Sequence, residues 1–385
     1  MNPFFHRDCL YYRSDRPCAP HKSEGVVCDG CKHYAPVKTR VLIVKLAAAG
    51  DVLRTTSILP AIKQKYESAS IHWITAAGSV PLLEKNPYID RTLSFSGHLP
   101  AELLIEEFDV LINLDAGTDS AAIASAARAN IKFGYGLDPR GFSVSFRPAG
   151  EKWLQMGLRD DLKKANIETY QFHALAAAEL EGPAVSPQLI LTKEERAFAR
   201  GLAAKWGIRD GQNVVGLNTG AGGRWPLKRW TEEGFCHIAK NLADAGAAVL
   251  LLGGPEEVER NKRLIAAAKN IKNPVGFVTD TGCNNSLRQF SAIVDLCDAV
   301  VTGDTLAMHI ATALGKQVVA IFGPTSSVEI DLFGRGEKIT SNEMECLVCY
   351  LSKCDLDPNC MNTIPPARVE AAVLRCLAAS AAARA

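Results

Sequence analysis

The sequence predicts an α/β protein built from two similar halves, each with a parallel sheet. Short apolar runs of strand length alternate with helix-like stretches, the signature of parallel α/β structure. The alternation stops at Glu181-Gly182-Pro183 and starts again after Pro187. A chain of 385 residues also exceeds the ~100 to 200 residues of an ordinary domain.

Taken in order, the first 37 residues are poor in apolar side chains and carry Cys9, Cys18, Cys28 and Cys31. Strands are expected at 41–46 (VLIVKL), 71–75, 91–95 and 110–115. Between the first two, Leu59, Ile62 and Tyr66 share one face of a helical segment beginning near Asp51. A quieter stretch follows Gly134, and a helix is expected over 160–180, ended by the Gly-Pro pair. The second series holds a helix at 193–206 and strands at 214–218, 248–252, 299–302 and 318–322. The Ala-rich end, 365–385, reads as a helix with Val369, Val373 and Leu377 on one side. The expected division is a cysteine-rich extension (1–37), a first α/β domain (38–184), a second α/β domain (185–362) and a C-terminal helix (363–385).

Forty-three basic against 42 acidic residues leave a net charge of +1, which argues against bulk attraction to nucleic acid. The longest apolar run, 245–254 (AGAAVLLLGG), is about half the ~20 residues of a membrane span and reads as a buried strand. The opening MNPFFHRDC lacks the apolar core of a signal peptide, so a cytoplasmic location is expected. Eight of the twelve cysteines form two groups, and in a reducing compartment such groups point to metal sites or thiol pairs. Cys236, Cys283, Cys297 and Cys376 stand alone and read as small buried hydrophobes.

Ligands of open α/β sheets bind beyond the carboxyl ends of strands, so chemistry is sought there. The first strand leads through Ala47-Ala48-Ala49-Gly50 to Asp51 at the mouth of a helix, either as its N-cap or as a general base within reach of a substrate hydroxyl. In the second half, Thr219-Gly220-Ala221-Gly222-Gly223 follows one strand and precedes Arg224 and Lys228, while Gly253-Gly254 follows the next. Such glycines let a backbone approach a phosphate. A third loop carries Asp304 at a helix cap, then Thr305, Leu306 and, further along the helix, His309. No GxGxxG marks the first strand-to-helix turn of either half, which counts against a dinucleotide dehydrogenase or a nicotinamide-dependent epimerase.

The strings VLIVKLAAAGDVLRTTSILPAIKQKY, GLNTGAGGRWPLKRW, LLGGPEE and DTLAMHIATALGKQVVAIFGPT occur in that order, and with them the chain resembles glycosyltransferase family 9, the heptosyltransferases of lipopolysaccharide assembly. The resemblance runs from about Arg40 to the C-terminus and implies the GT-B architecture, two Rossmann-like domains facing a central cleft, the first (38–184) on the acceptor side and the second (185–362) holding the nucleotide-sugar donor, with the last helix crossing back to the first domain. It implies Asp51 as catalytic base, Asp304 and His309 as donor-site residues, and Lys228 or Arg224 for the donor phosphates. It also implies an inverting transfer from a nucleotide sugar such as ADP-heptose to a lipid-linked or envelope saccharide at the inner membrane surface. No catalytic metal is required in that scheme. Among the basic residues of the first domain (Arg54, Lys63, Arg128, Lys132, Arg140 and Arg147), Arg54, one turn after Asp51, is the candidate for acceptor binding.

The first 37 residues fall outside the resemblance. There Cys28-Asp29-Gly30-Cys31 has the spacing of a metal knuckle, and Cys9 and Cys18 complete four thiols for a structural zinc or an iron–sulfur cluster, with His6, His21 or His33 as substitutes. Cys346, Cys349, Cys354 and Cys360 are a second candidate set. The rival functional reading is a non-catalytic nucleotide-sugar-binding regulator with its cysteines as a metal or redox sensor.

Overall fold

A computed structural model describes residues 5–183, 185–223, 225–342 and 344–384. The first sheet comprises β1 (Thr39–Val44), β2 (Ala69–Ala76), β3 (Arg91–Phe95), β4 (Glu107–Asn113), β5 (Arg128–Leu137) and β6 (Ser143–Ser145), in the order β3-β2-β1-β4-β5-β6. The second comprises β7 (Val214–Asn218), β8 (Ala248–Leu252), β9 (Phe277–Asp280), β10 (Ala299–Gly303), β11 (Gln317–Phe322) and β12 (Gly336–Thr340), in the order β12-β11-β10-β7-β8-β9. All pairings are parallel except β5 with β6.

Each sheet is covered on both faces. Val41, Ile43 and Trp73 enter one apolar cluster of the first sheet, and Leu42, Val44 and Leu111 enter the other. Val215, Leu217 and Val249 against Val214, Leu250 and Val300 do the same in the second. Strands buried on both faces must be apolar at every position, with each large side chain worth about 1.5–3 kcal/mol on burial. The central strands were legible in the sequence for that reason. In both sheets the chain order reverses beside the first strand, between β1 and β4 and between β7 and β10, and these two switch points carry the site.

The expected helices near Asp51 and over 160–180 are each broken. The first is a helix at Ala49–Thr55, a 3-10 turn at Thr56–Ile58 and a second helix at Leu59–Lys65. Pro60 stands in the first turn of that second helix, where a missing N–H costs nothing. The second is Asp160–Lys164 and then Tyr170–Ala177, restarted by Thr169, whose hydroxyl accepts from the Phe172 amide. The quiet stretch after Gly134 contains the end of β5, β6 and a helix at Pro148–Leu158. The helix at Lys193–Trp206 matches its expected bounds, because Thr192 and Glu195 form a capping box and Gly207 ends it at φ 79°.

The last helix, Pro366–Arg384, corrects an expectation. It does not return to the first domain. Val369, Val373 and Leu377 lie in the cluster of Val215 and Val249 under the second sheet, Arg375 Nε meets Glu337 Oε1 at 2.6 Å, and Asn241 Nδ2 donates to Glu370 Oε2 at 2.9 Å. The apolar stripe that pointed to a packed helix is satisfied by the nearer sheet. Among the described residues no helix is long and apolar enough to cross a membrane.

Gly134, in β5, has φ 78°, and an added Cβ there would stand 1.8 Å from the carbonyl oxygen of Asn113 in β4. Gly134→Ala is expected to cost about 2–4 kcal/mol through the left-handed backbone and the clash. A thermal or denaturant melt unchanged from the parent protein contradicts this.

Candidate active site

β1 runs into Lys45, which is only 5% exposed and places its ammonium 3.7 Å from Asp115 at the end of β4. The Asp115 carboxylate also accepts from the Ala47 amide (3.3 Å), so the loops after β1 and β4 are tied at the first switch point. The helix Ala49–Thr55 begins there with Ala48 at its N-cap, a residue with no side-chain oxygen. Asp51 is therefore not the N-cap. It stands at the third helical position and reaches back, its Oδ2 accepting from the Ala48 amide at 3.4 Å.

The other oxygen, Oδ1, lies 2.8 Å from Arg54 Nη2. The Arg54 guanidinium covers the ring of Tyr170 at 3.7 Å, and Tyr170 shares a 2.5 Å hydrogen bond with the Thr55 hydroxyl. Arg54 is thus held between Asp51 and Tyr170, and its Nε is buried with no hydrogen-bond partner among the described residues. The other first-domain cations have local partners. Lys63 pairs with Asp90, Arg128 with Glu107 and Arg140 with Asp138; Lys132 donates to the Ser125 carbonyl, and Arg147 lies over Phe133.

At the second switch point, Gly303 ends β10 so close to Lys228 that an added Cβ would stand 2.4 Å from the Lys228 carbonyl oxygen. Lys228 Nζ donates to Asp304 Oδ2 at 2.7 Å, and the Thr325 hydroxyl donates to the same oxygen at 2.8 Å. Thr305, not Asp304, is the N-cap of the helix Leu306–Ala313. Its hydroxyl joins Thr302 at 2.9 Å and accepts from Asn218 Nδ2 at 3.2 Å. His309 is buried in that helix and faces the other domain: a Cβ on Gly50 would stand 2.5 Å from His309 Cδ2. The two helices that begin at the two switch points therefore meet.

Charge is balanced locally. Burial alone would raise the Asp51 carboxyl, but Arg54, Lys45, His309 and the Ala48 amide outweigh it and hold the group well below the usual carboxylate range. Asp304 is likewise opposed by burial and held low, chiefly by Lys228. Burial and then the nearby Arg54 charge depress His309 to about 4 despite Asp304 and Asp51, so its imidazole is neutral at pH 7.

The glycine loops are shaped around Glu257. A Cβ on Gly220 would stand 2.1 Å from Glu257 Cδ, and one on Gly253 would stand 2.7 Å from its Cβ. Gly222 turns the first loop at φ 65°. The Gly254 amide donates to Glu257 Oε2 (2.9 Å), whereas Oε1 is buried and has no partner among the described residues. The hydroxyl of Thr219 points inward to Asn261 (2.7 Å) and braces the loop. Gly223 lies beside Glu256, and Arg224 lies outside the described residues.

Sequence reasoning missed Lys45, Tyr170 and Glu257. A lysine inside the apolar run VLIVKL was a usable signal for the first, since such a charge is buried only with a partner. Neither expected cysteine site is formed as a single-ion centre: among the described residues no three His, Cys, Asp or Glu side chains stand close enough to enclose a metal. In the second group, burial first and then Cys349, Cys354 and Cys346 push the Cys360 thiol up to about 11, and its sulfur packs against Gly323.

Residues 97–359 match the profile of glycosyltransferase family 9 (heptosyltransferase), and the chain belongs to that family. Lipopolysaccharide heptosyltransferase 2 of Escherichia coli K12 is 23% identical over 301 residues, covering 74% of this chain and 83% of the relative. A family 9 glycosyl transferase from Veillonella parvula superposes with a TM-score of 0.71 at 17% identity, covering 89% of this chain and 98% of that one. The E. coli ADP-heptose lipopolysaccharide heptosyltransferase II gives 0.65 at 22%, covering 88% and 99%. The protein is a glycosyltransferase with the GT-B fold.

The Gly50–His309 contact makes a test that leaves every charged group in place. Gly50→Ala should push the two helices apart and lower kcat at least tenfold while nucleotide affinity, measured by calorimetry, stays within about threefold. Unchanged turnover would show that the two helices need not meet.

Proposed function

We propose that the enzyme transfers a heptose-like sugar, with inversion, from ADP-heptose to a lipopolysaccharide core or related envelope saccharide met at the membrane surface. One observation carries this reading: the Asp51 carboxylate at the first switch point faces the Asp304, Lys228 and His309 group at the second, across the Gly50 contact. The names of the heptosyltransferase relatives support the donor and the acceptor class.

In this reading the acceptor oxygen attacks the anomeric carbon and its proton passes to Asp51, while the bond from sugar to diphosphate breaks and the diphosphate leaves. Negative charge grows on the departing phosphate. Lys228 and the first amides of the Leu306–Ala313 helix stabilise it, with the backbone of 219–223 beside them. Neutral His309 donates a hydrogen bond there without drawing the proton from Asp51. Glu257 Oε1, buried and without a partner among the described residues, suits a hydroxyl of the donor's ribose.

Asp51 is a weak base while Arg54 holds it. A dianionic donor drawn to Arg54, Lys45 and Lys228 offsets that positive charge, and the carboxylate becomes more basic when its substrate is present. Turnover of purified protein with ADP-heptose and heptose-deficient lipopolysaccharide, read as ADP release and as product mass, tests the reaction. No transfer to any such acceptor overturns it. Asp51→Asn should lower kcat ~100-fold or more with nucleotide affinity little changed, whereas Asp304→Ala should weaken nucleotide binding.

The sign of the pH dependence follows. Because Asp51 is held low, its own protonation should leave kcat/KM unaffected as pH falls through the ordinary carboxylate range, and a fall centred near pH 4 belongs to protonation of His309. Arg54→Leu removes the largest charge opposing burial at Asp51 and also a charge that depresses His309, so the acid limb should move upward. A profile measured between pH 4 and 8 that is the same for both proteins contradicts this.

A further inference from the structure

Residues 5–37 are folded without a core. Pro20 is the only buried residue among them, and none of the four apolar clusters includes any of them. Yet their backbone is defined. The ends are closed on each other by the Leu10 amide on the Ala35 carbonyl (2.8 Å) and the Val37 amide on the Asp8 carbonyl (2.8 Å). Every cysteine opens a tight turn through its carbonyl: Cys9 accepts from Tyr12, Cys18 from Lys22, Cys28 from Cys31 and Cys31 from Tyr34. Gly30, at φ 64°, supplies the left-handed residue inside the Cys28–Cys31 turn. Segments this short usually require a disulfide or a metal to fold. The four thiols are not paired in disulfides, and all four line one cavity of about 880 Å³.

The histidines have other work. His33 Nε2 meets Glu24 at 3.1 Å, His21 Nδ1 meets the Val26 carbonyl at 2.9 Å, and the His6 ring lies 4.4 Å from that of Tyr34. Each of these contacts engages at most one ring nitrogen, and the four thiols, which share the cavity, are taken as the ligand set. A zinc ion bonded at ~2.3 Å would draw its sulfurs to within roughly 3.8 Å of one another, and among the described residues no three His, Cys, Asp or Glu side chains form a group that could hold a single metal ion. A polynuclear cluster bonds each thiolate at a different corner and holds the four farther apart around a larger volume.

We propose that Cys9, Cys18, Cys28 and Cys31 bind an iron–sulfur cluster that folds the extension. The cluster is structural with respect to transfer, because the extension enters β1 at Thr39, at the opposite end of the strand from the loop that carries Asp51. Its presence is independent of the donor and acceptor proposed above.

The test uses the full-length chain, purified without oxygen and then reconstituted with ferrous iron and sulfide. Iron and acid-labile sulfide in comparable amounts, with visible absorbance that dithionite bleaches, are expected. They should be lost in Cys28→Ser/Cys31→Ser and retained in Cys346→Ser/Cys349→Ser. The first variant should also be cleaved within residues 5–37 at least tenfold faster by a protease, while its transferase activity stays near that of the parent. Zinc without sulfide, a cluster lost with the Cys346/Cys349 pair instead, or protein that takes up no iron after reconstitution would each overturn the assignment.

Discussion

The approach of Gly50 to His309 is the constraint on which the site depends. Two sheets need not present their switch points to each other, and nothing in either sheet alone sets the distance between Asp51 and Asp304, although Leu53 and Leu82 of the first domain pack into a cluster of the second. The distance is set where the helix after β1 meets the helix after β10, and that meeting leaves no room for a side chain at residue 50. An imidazolium packed at the same place would be a buried charge beside Arg54 that Asp304 and Asp51 offset only in part. Burial removes that charge, so steric fit and electrostatics favour the same arrangement.

Around that contact the protein gathers Lys45, Arg54 and Lys228 with Asp51, Asp115 and Asp304. Each cation has one carboxylate, so the ligand-free site is neutral in pairs. Buried pairs of this kind add little net stability, because desolvation offsets most of the attraction. Their use lies elsewhere. A bound diphosphate can share the cations without any group having to be brought in from solvent, and the carboxylates it displaces electrostatically are then free to act. The orphaned Nε of Arg54 and Oε1 of Glu257 fit the same account, since each is a buried polar atom that a ligand can complete.

What was legible in the sequence follows from these physical terms. β1, β7, β8, β10 and β11 were visible because burial on both faces forces continuous apolar runs, and the loops after β1, β7, β8 and β10 could be found by following them to their ends. β9 and β12 lie at sheet edges and are half-buried, so no such run marks them. The stacking of Tyr170 on Arg54 joins residues more than a hundred positions apart, and no local pattern encodes it. Asp51 was correctly suspected of a cap-like role, but its position was misread. An alanine at the N-cap hands that task to the third helical residue, and the same carboxylate then points into the cleft.

The last helix and the extension differ in how each obtains stability. Pro366–Arg384 has an apolar stripe and spends it on the nearest sheet, which is why it closes the second domain instead of bridging both. The extension has no stripe to spend. Its polar turns, each opened by a cysteine carbonyl, position sulfurs rather than hydrophobes, so its fold must come from what those sulfurs hold. Because it joins the first sheet at the amino end of β1, changes in that module lie the length of this strand from the cleft, and its last four residues are buried, a route that transmits stability far better than it transmits fine geometry.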